Sequence, residues 1–72
     1  MEMIYKTMDK SHKNYVILNH DIENDMYYVS YKLYKRHDVF SYTHYNHACY
    51  MFNEIHNTFK DFFPKMLLTN LK

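Results

Sequence analysis

The chain has 72 residues, one proline, one cysteine, no glycine, and nine basic residues against eight acidic ones, for a formal net charge of +1. A chain this short buries only about 60% of the surface its unfolded form exposes, which limits it to one domain over residues 1–72 with one thin core. Near-neutral charge excludes a whole-molecule field that would draw it onto phosphate backbones, so any nucleic-acid contact must rest on a local patch. The missing glycines exclude Walker loops, dinucleotide fingerprints and nucleophile elbows, whose backbones need positive φ or close approach to a ligand. With Cys49 alone, no internal disulfide can form, which fits a reducing cytoplasm. The segment Met1 to Lys10 is too polar for a signal peptide, and no stretch approaches the roughly 20 apolar residues a membrane span requires. Export and membrane spanning are therefore not expected. Lys, Asn, Tyr, Ile, Phe and Met, the residues of AT-rich codons, are abundant, so genome composition is the baseline explanation for the nine tyrosines, against which recognition has to be argued.

In chain order, Met1 to Met8 reads as a strand or a loose arm, with a slight balance toward a strand paired through Asp9-Lys10-Ser11-His12 to the apolar run Asn14 to Asn19. An acidic connection follows, from His20 to Asp25. Met26 to Arg36 is the clearest strand, because Tyr27, Val29, Tyr31 and Leu33 alternate with Tyr28, Ser30, Lys32 and Tyr34 at period two. Arg36-His37-Asp38 interrupts this pattern and Val39 to Tyr45 resumes it, which predicts a hairpin turning near His37. From about Asn46 to Phe63 the period becomes helical, with Ala48, Met51, Phe52, Ile55, Phe59 and Phe62 on one stripe. Thr43 or Asn46 is the expected N-cap, and Pro64 the expected stop. The tail Lys65 to Lys72, with Met66, Leu67, Leu68 and Leu71, reads as one more helical turn beneath the sheet. The fold class expected is therefore α+β: an antiparallel three- or four-stranded meander packed against one long C-terminal helix. Its core would join Tyr27, Val29, Tyr31 and Leu33 to Phe52, Ile55 and Phe59, with Val16 or Ile17 beside them, and would leave one sheet edge free.

Several constellations carry chemistry. His44, His47 and Cys49 offer imidazole and thiolate at short spacing, but zinc modules need four ligands, so a site here would have to recruit His12, His20, His37 or His56. No metal or cofactor is expected; His44 ending a strand and Cys49 as a small apolar residue account for the stretch. A thiol-nucleophile role for Cys49 lacks an orienting group and an oxyanion donor, so no catalytic residue is assigned. Asp21, Glu23 and Asp25 resemble a calcium loop only superficially, because the central glycine is missing and Lys32 stands where a bidentate carboxylate belongs. A solvated acidic turn explains them, and an acidic knob for a partner's basic groove is the functional counterpart. The outward face of the long strand, with Tyr28, Ser30, Lys32, Tyr34 and Arg36, is the main candidate partner-binding row. Such a row either stacks bases and neutralises phosphates or supplies amphipathic anchors to a protein interface, unless the tyrosines serve β-propensity alone.

The helix wording Ala48-Cys49-Tyr50-Met51-Phe52-Asn53-Glu54-Ile55, after a tyrosine-rich hairpin, resembles the small hairpin-plus-helix proteins of bacteriophages and mobile elements over roughly residues 26 to 63. That resemblance is one of size and architecture. It implies a non-catalytic, stoichiometric inhibitor or regulator of a host protein or nucleoprotein complex, of the anti-CRISPR or counter-defence type, acting in the host cytoplasm. Many such proteins are strongly acidic and this one is not, which argues against DNA mimicry here. The alternative expectations are a small nucleic-acid binder that uses the aromatic and basic strand face, and a homodimer built by edge pairing or by exposed tyrosines.

Overall fold

A computed structural model of the protein describes residues 1–9, 11, 13–63 and 67–70, the last four by their backbone. Five strands, β1 (Glu2–Met8), β2 (Tyr15–Asp21), β3 (Met26–Leu33), β4 (Arg36–Tyr42) and β5 (Leu67–Asn70), form one sheet in the order β4-β3-β2-β1-β5. One helix, α1 (Tyr45–Phe62), follows β4. The meander β1 to β4 with its C-terminal helix is the α+β architecture that the two sequence periods call for, and Met1 to Met8 supplies a strand rather than an arm. No described helix is long and apolar enough to cross a membrane.

Strand parity decides which side α1 covers. Val16, Leu18 and Val29 are fully buried and meet Ala48, Phe52 and Phe59 of the helix. Since Val16 and Leu18 point inward, Ile17 lies on the other face, so Val16 is the core residue of that pair. A β-bulge between Met3 and Tyr5 adds a residue to β1 and lets both Ile4 and Tyr5 reach the core. Tyrosines line the rim of this core: Tyr5 tilts against Phe52 with ring centroids 5.7 Å apart, and Tyr31 meets Phe59 edge-on at 6.0 Å. Ile55 and Met51 are half-buried, whereas Phe62 is 54% exposed and does not belong to the packed stripe.

Three expectations are corrected. The β3–β4 turn is Tyr34-Lys35, not near His37, so β3 ends at Leu33 instead of running to Arg36. Leu67–Asn70 pairs antiparallel with β1 as a fifth strand, where a helical turn was expected. The helix N-cap is His44 in extended geometry with no side-chain cap bond, in place of Thr43 or Asn46. Phe63 leaves the helical region at φ −132°, as a residue before proline should, although Pro64 itself lies outside the described residues, as do His12, Met66 and Leu71.

Without glycine, two of the described residues take left-handed backbone: Asp25 at φ 50° and Tyr34 at φ 57°. For an aromatic residue this costs about 1–2 kcal/mol. Asn14 offsets that strain at Tyr34: its Oδ1 accepts a 2.6 Å hydrogen bond from the Tyr34 N–H, while its Nδ2 donates to Asp9 Oδ2 at 2.8 Å. Asp9 also accepts from Ser11 Oγ at 2.8 Å and from the Asn14 backbone N–H at 3.2 Å. Asp9 and Asn14 are both buried, so this hub ties the β1–β2 connection to the β3–β4 turn in a place water barely reaches. Burial pushes the Asp9 carboxyl up, but the hydrogen bonds from Asn14, Ser11 and the loop backbone outweigh it and hold the group below its ordinary value.

Two outcomes follow from this packing. Phe52→Ala should destabilise the chain by about 3–5 kcal/mol in urea unfolding, enough to unfold a domain this small; a folded, cooperative Phe52→Ala protein by circular dichroism would contradict the core. Because the Asp9 value is depressed in the folded state, its contribution is complete above the ordinary carboxylate range and disappears as pH falls through the folded value, below about pH 4. Asp9→Asn should therefore be less stable than wild type at pH 7 and show a shallower loss of stability on acidification. Parallel curves for the two proteins would mean that Asp9 is not held by this network.

Candidate functional site

With α1 on one side, the opposite face of the sheet has no described helix or strand over it. Register builds that face as three rungs across four strands. Met8, Tyr15, Lys32 and His37 form one; Lys6, Ile17, Ser30 and Val39 the next; Met3, Asn19, Tyr28 and Ser41 the third. Tyr15 and Tyr28 stand on the two central strands, and Tyr15 meets the His37 ring edge-on at 6.5 Å. Val39 is 56% exposed. No Asp or Glu stands on these rungs; Asp21, paired with Met26, begins the rung beyond them.

Of the five residues assigned to the strand row, Tyr28, Ser30 and Lys32 sit together on this face. Tyr34 occupies the turn instead, where its ring tilts against Phe63 at 5.9 Å. Arg36 pairs with Leu33 and belongs to the helix side of the sheet, because a two-residue turn returns the chain in phase with the inward set. The row is therefore split among a face, a turn and the opposite face. Tyr15, Ile17, Lys6, Met8, His37 and Val39, with Met3, Asn19 and Ser41, complete these rungs and were not assigned to a binding face from sequence. No local signal marked Tyr15 and Ile17, because Tyr15-Val16-Ile17-Leu18 is apolar or aromatic throughout.

The acidic residues are used locally. Asp21 accepts from Asn24 Nδ2 at 2.9 Å, and this bond, against slight desolvation, holds its carboxyl below the ordinary value. Asp25 contacts His20 Nε2 at 3.1 Å, and the His20 ring stacks on Tyr27 at 4.3 Å. Glu23 is exposed in the turn between them. These carboxylates organise a glycine-free turn, consistent with a solvated connection. His44 and His47 approach edge to face at 5.1 Å. Among the described residues no group of three His, Cys, Asp or Glu side chains is gathered to hold a metal. Cys49 is half-buried, and Tyr45 is close enough to it and to Tyr5 that their hydrogen bonding raises the Tyr45 phenol well above its usual range.

Beside β4 the covered side opens. Tyr31, Leu33 and Phe40 from the hairpin and Met51, Ile55 and Phe59 from α1 line a groove of about 230 Å³, with Arg36 at its mouth. The Tyr31 hydroxyl donates to Asp38 Oδ2 at 2.8 Å, which raises the Tyr31 phenol above its ordinary value. No protein family, curated protein or solved structure matches this chain.

Proposed function

We propose that the chain is a non-catalytic binding module that engages a host protein through the open sheet face, in the manner of a phage-type inhibitor or regulator. The observation that supports this reading is the set of aromatic and aliphatic side chains Tyr15, Ile17 and Tyr28, held by register on one face with nothing described above them. Tyrosines fixed on strands give contact area at little rotamer cost, which is the composition of interface hot spots. An inhibitor of a defence nuclease, as the phage resemblance implies, would need no more than such a surface. A second reading, single-strand nucleic-acid binding, is favoured by one feature: the three rungs carry Lys6, Lys32 and His37 and no carboxylate, beside two tyrosines able to stack bases.

Capture from a low-GC bacterial lysate, with and without nuclease, tests the reading. Tyr15→Ala combined with Tyr28→Ala should weaken the captured protein partner by about 2 kcal/mol or more while circular dichroism stays unchanged, since neither ring enters the core. Neutralising Asp21, Glu23 and Asp25 should do less and act mainly on association rate in a salt-dependent way. Loss of the partner on nuclease treatment, together with salt-sensitive binding of a fluorescent single-stranded oligothymidylate that Lys6→Ala and Lys32→Ala abolish, would replace the protein reading with the nucleic-acid one.

A further inference from the structure

The geometry points to a second element of recognition: β4 and its groove accept an extended segment of the partner protein, added antiparallel to the sheet, with an apolar side chain in the groove and a carboxylate on Arg36. This inference rests on the reading that the partner is a protein.

Three observations carry it. β4 is an outer strand of the sheet, and all its residues except Tyr42 are exposed. The two-residue turn makes Leu33 and Arg36 a hydrogen-bonded pair, so Asp38, Phe40 and Tyr42 also bond to β3, whereas the N–H and C=O groups of His37, Val39 and Ser41 point away from the sheet. β4 contains no proline or lysine to blunt that edge. The groove then supplies selectivity, because an added strand places alternate side chains on the helix side, where the residue opposite Asp38 meets Tyr31, Phe40, Met51 and Ile55.

Charge selects the occupant. The residue two further along the added strand lies opposite Arg36, whose side chain is 78% exposed, with Lys35 exposed beside it in the turn. The carboxylate of β4, Asp38, already accepts the Tyr31 hydroxyl and lies 4.0 Å from Arg36 Nε. A segment with an apolar residue followed two positions later by Asp or Glu therefore complements this edge. A second copy of the chain does so less well: self-pairing centred on Val39 would set Asp38 opposite Phe40 and bring two Asp38 carboxylates onto the diagonal.

A displayed library of random peptides, selected on the immobilised full chain and followed by anisotropy on the recovered sequences, reads this out. Recovered peptides should share the apolar-x-acidic spacing, bind the Val39→Pro protein at least roughly tenfold more weakly, and be replaced, on Arg36→Glu, by sequences carrying Lys or Arg at the acidic position. Should Val39→Pro disturb the fold, the exchange of preference on Arg36→Glu decides alone, since that side chain is exposed. Peptides without this spacing, or affinities indifferent to both variants, overturn the proposal. A dimer in sedimentation equilibrium that Val39→Pro dissolves would give the edge to a second copy and overturn it equally. A host partner lost with Tyr15→Ala and Tyr28→Ala but retained by both edge variants would remove the edge proposal and leave the protein-binding reading standing.

Discussion

Among the described residues, one helix has to cover a five-stranded sheet, and it can cover only one side of it. Ala48, Phe52 and Phe59 bury Val16, Leu18 and Val29, and the rest of the molecule is arranged around that contact. Because side chains alternate along a strand, choosing Val16 and Leu18 for the interior sends Tyr15, Ile17 and Asn19 to the other face, and hydrogen-bonded register carries the same choice into β1, β3 and β4. The open face is thus a consequence of the core. So is the groove, since α1 lies over the inner strands and leaves room beside β4.

A second constraint comes from making tight turns without glycine. Tyr34 accepts a left-handed backbone because Asn14, twenty residues earlier, presents an amide oxygen to its N–H and an amide nitrogen to Asp9. The two hairpin ends at this side of the sheet are therefore one structural unit. That unit fixes the phase of β4, which in turn directs Arg36 toward the groove and Val39 toward the open face. A turn longer by one residue would exchange the two.

The period-two run from Tyr27 to Leu33 and the helical stripe through Ala48, Phe52 and Phe59 were legible in the sequence because each pattern is long and strictly kept. Val16 against Ile17 was not, since two adjacent β-branched residues in a short apolar run carry no parity of their own. The hairpin turn was displaced because Tyr34-Lys35 has no local turn signature; the residue that stabilises it is distant in sequence. Misplacing the turn kept Tyr34 and Arg36 in the strand row with Tyr28, Ser30 and Lys32, although the structure separates them. The tail's pairing with β1 rests on a partner strand from the opposite end of the chain, which no local pattern could announce.

Recognition by strand addition depends on β4 being a true edge whose alternate backbone groups face outward beside an uncovered sheet face. Native-state hydrogen exchange on the dilute protein reads this residue by residue. The amides of Asp38, Phe40 and Tyr42, bonded to β3, should exchange slowly, while those of His37, Val39 and Ser41 should exchange fast in strict alternation. Uniform protection along β4 would show that the edge is already covered, and uniformly fast exchange would show that β4 is not held in this register; either result contradicts the account.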